Sequence, residues 1–175
     1  MAELSSRDRL QPSLLDRLLD DAPHQAKESL EARVLTRQQL RAAVLRDLSW
    51  LFNDTRQEPE PNSDRADELK MWQDNDFARR STLNYGVPAF SGITLSSMDT
   101  ITIERAVADA IQNFEPRIDP ESLSVEVKVD YARHHNTLQL VIRGQMWSQP
   151  MPLELLLSAD VDVETGITRV RELRA

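Results

Sequence analysis

The spacing of apolar residues predicts two amphipathic helices. Thr36 and Gln39 match a capping box, so the first helix is predicted to begin at residue 37 and to end at Asn53 and Asp54. Its buried stripe consists of Leu40, Val44, Leu45, Leu48, Leu51 and Phe52. The second helix follows a cap at Asp99 or Thr100. Its stripe consists of Ile103, Val107, Ala110, Ile111 and Phe114.

A shorter apolar pattern lies near the N-terminus. Leu14, Leu15, Leu18 and Leu19 predict a short helix with one apolar face. This helix either docks on the domain or serves as a docking arm for a partner.

After residue 122 the apolar period changes from helical to alternating, which predicts strands. The pattern gives a strand at 123–129, a turn at 131–136, a second strand at 138–143, a long third strand at 153–163 and a short fourth strand at 167–173. Helices followed by an antiparallel meander are typical of an α+β fold. We therefore expect N-terminal helices and one central helix packed on a three- to four-stranded antiparallel sheet.

The chain has 175 residues, of which 40% are hydrophobic, and this is enough for one domain with a core. We expect an N-terminal arm with a short helix at 1–35 and a single α+β domain at 36–175. An acidic loop is expected at about 56–80, because residues 57–76 hold seven acids against Arg65 and Lys70. This loop is expected to be mobile, either a contact site or a solubilising segment, and Leu83–Pro88 is expected to be ordered. The apolar side chains of Leu69, Met71, Trp72 and Phe77 are expected to pin the intervening stretch to the domain surface.

Charge and composition exclude several classes of protein. The net charge of −8 disfavours nucleic-acid binding, which needs clustered Lys and Arg, and favours basic protein surfaces as partners. The sequence has no run of about 18 apolar residues, so no membrane span is predicted. No secretory signal is recognised at the N-terminus and the chain has no cysteine, which fits a reducing cytoplasm.

The junction between the second helix and the first strand carries a charged corner. Pro116 stops the helix and holds Glu115 and Arg117 in a fixed relation on either side of one rigid residue. The alternative interpretation is a local surface ion pair, which contributes little to stability.

Catalytic chemistry finds little support in the sequence. Glycoside hydrolysis needs a carboxylic acid that keeps its proton, whereas Arg117 beside Glu115 favours the ionised form. His134 and His135 are adjacent on a turn, so their side chains diverge and no metal site is predicted. No phosphate-binding glycine loop is present. We therefore expect no catalytic residues, no metal and no cofactor.

Four blocks, in order, resemble one protein family. They are Leu10–Leu18, Arg41–Asn53, Ser81–Pro88 and the Glu115-Pro116-Arg117 corner. The family is that of the lysozyme-like phage baseplate wedge proteins, or sheath initiators, whose bacterial branch is the TssE component of type VI secretion systems. The resemblance extends from about residue 10 to residue 170.

The resemblance implies a structural role, in which the protein helps to assemble the baseplate wedge and initiates contractile sheath polymerisation by β-augmentation. The implied partners are the wedge proteins TssF and TssG, the connector TssK and the sheath subunits, with no small-molecule substrate. The implied location is the cytoplasm, in a membrane-docked baseplate. The alternatives are a wedge protein of a contractile phage or phage-like particle and a small peptidoglycan-cleaving muramidase.

Two groups of residues are candidates for partner binding. The first is the corner, Glu115, Pro116 and Arg117. We expect its charged groups to bond a partner or nearby main chain within an interface. The second is the block Leu83, Asn84, Tyr85 and Gly86. In the alternative interpretation of this block, Leu83 and Tyr85 pack on the core and Gly86 supplies a turn.

Overall fold

A computed structural model describes residues 13–18, 24, 35–61, 63–90, 99–129, 137–146 and 152–173. The helices are α1 (Leu14–Leu18), α2 (Arg37–Phe52), α3 (Ala66–Gln73), α4 (Asp76–Arg79) and α5 (Thr100–Phe114), with a 3₁₀ turn at Thr82–Asn84. The strands are β1 (Ser124–Val129), β2 (Thr137–Met146), β3 (Leu153–Asp162) and β4 (Thr168–Glu172).

Both long helices begin at the predicted caps. The amide of Gln39 donates to Thr36 Oγ1 at 3.2 Å, and the amide of Thr36 donates to Gln39 Oε1 at 2.9 Å. These reciprocal bonds form a capping box and start α2 at Arg37. The side chain of Asp99 accepts from the amides of Ile101 and Thr102 and starts α5 at Thr100.

The four strands form one antiparallel sheet in the order β1-β2-β3-β4. All four predicted strands are confirmed, although β2 continues to Met146, three residues beyond its predicted end at Arg143. The extra length pairs with the start of β3 and gives a ten-residue ladder. The predicted turn at 131–136, with His134 and His135, lies outside the described residues.

The hydrophobic core lies between the sheet and the two long helices. Val44 and Leu48 of α2 are fully buried, as are Val107 and Ile111 of α5. They join a single buried cluster with the inward-facing side chains of β2 and β3, which include Leu138, Leu140, Ile142, Leu157, Ala159 and Val161. The predicted α+β fold, with helices packed on an antiparallel sheet, is confirmed.

The expectation of an acidic loop at 56–80 is wrong in part. Residues 66–73 and 76–79 form α3 and α4. Ala66–Gln73 consists mostly of good helix formers, with Asp67 and Glu68 in the first turn, where carboxylates stabilise a helix. The expected mobility of this stretch stays a prediction. The arm at 1–35 and the domain at 36–175 also stay predictions.

Candidate functional site

Glu115 ends α5 and is buried at the corner. Its amide donates to the carbonyl of Ile111 at 2.8 Å, and its own carbonyl accepts from the amide of Ile118 at 3.2 Å. Glu115 has left the helical conformation, with φ −124° and ψ 75°, as expected for a residue that precedes proline. It is only 2% exposed, although carboxylates are rarely buried without a partner.

Arg117 provides that partner. Its Nε donates to Glu115 Oε1 at 2.6 Å, its Nη2 donates to Glu115 Oε2 at 2.5 Å, and its amide donates to Glu115 Oε1 at 3.2 Å. This two-pronged contact is a strong form of charge-assisted hydrogen bond. The corner differs from an exposed surface pair, because the Glu115 side chain is only 2% exposed and the Arg117 side chain only 22%.

Asp47 of α2 is a third member of the corner. Its Oδ2 accepts from Arg117 Nη2 at 2.5 Å, across 70 positions of sequence. The bond ties the helix–strand junction to the middle of α2. Asp47 was missed as a site residue because it lies off the apolar stripe. The available signal was weak: Asp47 is the only acidic residue within α2.

The charged contacts continue to the N-terminal helix. Arg46 bonds Asp47 Oδ1 at 2.8 Å and Asp16 Oδ1 at 2.7 Å, and its guanidinium also lies 5.2 Å from the ring centre of Trp50. Ser13 in turn donates to Asp16 at 2.6 Å. We call the row Asp16, Arg46, Asp47, Arg117 and Glu115 the ion-pair chain. It connects α1, α2 and the corner.

The pKa shifts of Arg117, Arg46 and Asp16 favour the charged forms of these three side chains. Burial alone would lower the pKa of Arg117, but the hydrogen bonds and charges of Glu115 and then Asp47 outweigh it and raise that pKa. Arg46 behaves alike, since Asp16 and Asp47 raise its pKa against the effect of burial. Burial would raise the pKa of Asp16, yet hydrogen bonds from Ser13 and Arg46 lower it.

The Leu83–Gly86 block adjoins the corner through one aromatic contact. The ring of Tyr85 packs edge-on against Phe114, with ring centres 5.2 Å apart. Burial, followed by the nearby carboxylates of Asp47, Asp54 and Glu115, raises the pKa of the Tyr85 hydroxyl. Tyr85 packs against the core, as one interpretation predicted, but Leu83 is 69% exposed, so its predicted core packing is wrong.

Asn84 is buried and holds a polar latch. Its Oδ1 accepts from the amide of Glu58 at 2.9 Å, and its Nδ2 donates to the carbonyl of Arg79 at 3.1 Å. The carboxylate of Glu58 is also buried and accepts from Arg79 Nε at 3.1 Å. We call Glu58, Arg79 and Asn84 the polar latch; it fixes α4 and the 3₁₀ turn to the segment after α2.

Gly86 makes the turn that one interpretation assigned to it. Its φ is +120°, and a Cβ there would lie 2.6 Å from the carbonyl oxygen of Asp54. This close approach lets Val87 pair with the segment after α2, where its amide donates to Asp54 and its carbonyl accepts from Arg56, each at 3.0 Å.

Within the described ranges, no group of three or more His, Asp or Glu side chains is arranged to hold a metal ion. The same residues include no helix long and apolar enough to cross a membrane.

The fold and the site define a small α+β protein in which a Glu-Pro-Arg corner with a buried glutamate lies between the central helix and an antiparallel sheet. The family model described as baseplate wedge protein gp25 matches residues 38–151, more than half of the chain, including α2, the corner and β2. The chain therefore belongs to the baseplate wedge protein gp25 family, whose role is structural, in phage-like baseplates. Searches of curated proteins and of solved structures found no match.

Proposed function

We propose that this protein is a TssE-type component of a type VI secretion baseplate and that its sheet initiates polymerisation of the contractile sheath. Family membership supports the baseplate role. The secretion assignment rests on the four sequence blocks that resemble the bacterial branch. In this proposal the protein works from the cytoplasm, in a membrane-docked baseplate.

The geometry of the β4 edge is the observation that carries the mechanism. The amide of Leu173 donates to Leu156, and the amide of Asp162 donates to Ile167. Because bonding alternates along an antiparallel strand, odd-numbered residues of β4 bond β3, and the main-chain groups of Thr168, Val170 and Glu172 point away from the sheet.

Of these three residues, only Thr168 has its outward main-chain groups hydrogen-bonded by a described residue. Asn53 Oδ1 accepts from the amide of Thr168 at 3.0 Å, and Asn53 Nδ2 donates to the Thr168 carbonyl at 2.9 Å. No described residue bonds the outward main chain of Val170 or Glu172. Such groups template the addition of another strand, so the β4 edge is suited to a strand from a sheath subunit.

The opposite edge is less open. Glu104 of α5 accepts from the amide of Val127 in the middle of β1 at 2.9 Å. A strand added to β1 would have to displace this carboxylate. We therefore place strand addition at β4.

The candidate partner-binding residues divide by burial. Glu115 and Asn84 are buried, so in this proposal they position their neighbours and do not themselves touch a partner. The side chain of Arg117 is 22% exposed and Leu83 is 69% exposed. We propose that two surfaces face the wedge components TssF and TssG or the connector TssK. One is the corner, at Pro116 and Arg117. The other is Leu83 in the neighbouring block, next to Tyr85 and Gly86.

The test of strand addition is sheath assembly in the native bacterium, imaged with a fluorescent sheath subunit. Glu172→Pro removes an outward-facing amide, which edge strands tolerate, and Glu172→Ala removes the same side chain but keeps the amide. Both variants lose the exposed Arg41–Glu172 pair, so the comparison isolates the amide. We expect at least tenfold fewer sheaths with Glu172→Pro and normal numbers with Glu172→Ala, at matched levels of folded protein.

Normal sheath numbers with Glu172→Pro would show that β4 does not template the sheath. Val125→Pro, compared with Val125→Ala, then tests the β1 edge in the same assay. If a deletion of the whole chain leaves sheaths intact, the initiator role itself is wrong.

A further inference from the structure

The segment from Ala66 to Asn84 presents apolar side chains to solvent. No residue of α3 or α4 is buried in the described structure. Met71 is 67% exposed, Phe77 is 96% exposed and Leu83, on the adjoining 3₁₀ turn, is 69% exposed. The expectation that apolar side chains pin this stretch to the domain is therefore wrong for Met71 and Phe77, whereas Leu69 and Trp72 are half-buried.

The C-terminal part of this segment is held to the domain by polar bonds. An eight-residue helix is marginal by itself, and most helices gain stability by burying an apolar face. Here α3 and α4 have no fully buried residue, and the polar latch of Glu58, Arg79 and Asn84 attaches α4 and the 3₁₀ turn. The attachment fixes α4 and the 3₁₀ turn while leaving Phe77 and Leu83 uncovered, and exposed apolar patches mark protein-binding sites.

The charges around these apolar side chains are unbalanced. Arg65 pairs with Glu68, and Arg80 pairs with Asp76. Three acids, Asp64, Asp67 and Asp74, have no ion-pair partner among the described residues. Of the cations in residues 64–84, only Lys70 has no ion-pair partner among the described residues. The unpaired charge on this surface is thus negative.

We infer that residues 64–84, the acidic knob, dock into an apolar pocket rimmed by Lys and Arg on another protein of the assembly, with Phe77 as the anchor. Aromatic anchors in a pocket carry much of the energy of an interface, and complementary charge at the rim steers association. Pairing of this segment with the same segment of a second copy does not fit, because both surfaces carry unpaired negative charge. The inference rests on the proposed function only in taking the partner to be another baseplate protein.

The experiment places a photoreactive phenylalanine analogue at position 77 of the full chain, in the native bacterium. Matched controls carry the analogue at Ile101 and Glu121, which are both exposed and lie outside the knob and the β4 edge. Cross-linked peptides are then identified by mass spectrometry. We expect position 77 to cross-link at least tenfold more than either control, to one site with apolar residues flanked by Lys or Arg.

A charge-reversal arm tests the rim. Asp67→Lys combined with Asp74→Lys should lower the cross-linking yield at position 77 at least fivefold. Glu121→Lys, an exposed acid outside the knob, should leave the yield unchanged. Equal yields in the knob and control variants would overturn the charged rim.

The outcomes separate this inference from the proposed function. The inference is overturned if position 77 cross-links no more than the controls do. It is also overturned if position 77 cross-links to an acidic surface or to a second copy. Either result holds even if sheaths still depend on the chain. A cross-link to a basic-rimmed pocket on a protein outside the baseplate supports the knob and contradicts the assignment to the baseplate.

Discussion

At the scale of single residues, Arg117 joins the two carboxylates of the corner, Glu115 and Asp47. It bonds both oxygens of a carboxylate that is 2% exposed and also bonds Asp47 on another helix. A buried ion pair is weak support for stability as a whole, but removing one partner leaves an uncompensated buried charge. The corner is thus sensitive to the loss of either charge.

Arg117→Ala should lower the free energy of unfolding by about 3–5 kcal/mol, because Glu115 and Asp47 lose their shared cation. Urea unfolding followed by circular dichroism measures this. The matched control is Arg143→Ala, whose pair with Glu126 is long at 3.5 Å and about half exposed, so its loss should be within about 1 kcal/mol. Equal losses in the two variants would mean that the corner is no stronger than a surface pair.

Gly86 is a second residue whose identity is fixed by its surroundings. Gly86→Ala combines a positive φ with a Cβ placed 2.6 Å from main-chain oxygen. We expect a loss of at least about 2 kcal/mol, measured as a fall in urea midpoint. Gly144→Ala is the control, because the nearest atom to its Cβ is in the Ile118 side chain at 3.0 Å, the main chain lies 3.9 Å away, and its φ is not positive. The Gly144 variant should lose clearly less stability, and the reverse order would refute the argument.

At the scale of elements, single polar side chains join helices to their neighbours. Asn53, at the end of α2, bonds both main-chain groups of Thr168 and so fixes the start of β4. Asp16 fixes α1 to α2 through Arg46. Leu14 and Leu18 on α1 are 75% and 73% exposed, so two of the three leucines of this helix face solvent. The described attachment of α1 is the ion pair of Asp16 with Arg46.

The Asp16–Arg46 contact should depend on pH. Folding lowers the pKa of Asp16 from its ordinary value of 3.8, so its stabilisation is complete above that value and is lost as the pH falls through the lower, folded pKa. Asp16→Asn should therefore cost about 1.5 kcal/mol near neutral pH, with a difference from the wild type that shrinks below pH 3.8. Urea unfolding of both proteins across this range measures the difference. A constant difference would show that the charge of Asp16 is not what holds α1.

At the scale of the whole molecule, stability resides in the layer between the sheet and the two long helices. β2 and β3 are central strands and contribute most of the fully buried side chains, with Val44, Leu48, Val107 and Ile111 packed over them. The acidic knob lies outside this layer. The molecule thus combines a core that fixes the fold with an attached surface available for assembly.

Leu140→Ala, at a fully buried position of β2, should lower the free energy of unfolding by about 3 kcal/mol through loss of burial and a residual cavity. Leu83→Ala makes the same chemical change at a position that is 69% exposed, and should change stability by less than about 0.5 kcal/mol. Thermal unfolding of both variants checks the contrast. A large loss at Leu83 would indicate that the acidic knob is part of the core.

The sequence alone determined the elements whose signals are local. The capping box at Thr36, the cap at Asp99, the apolar stripes of α2 and α5 and the alternation of the strands predicted element limits that the structure confirms within a few residues. Helix and strand periodicities are set by the backbone, so neighbouring residues suffice to reveal them. The α3 and α4 helices were missed because they are short and bury no residue that would make a stripe.

Tertiary structure decided which charged and polar groups meet. The sequence indicated a Glu115–Arg117 pair but neither its burial nor its bond to Asp47, 70 positions away. Nothing in the sequence indicated that the corner and the Leu83–Gly86 block are neighbours, whereas the ring contact of Tyr85 with Phe114 brings them together. The bond between Asn53 and Thr168 spans 115 positions. Such partners are set by how helices pack on a sheet, and that packing depends on the whole core, so no local pattern reveals them.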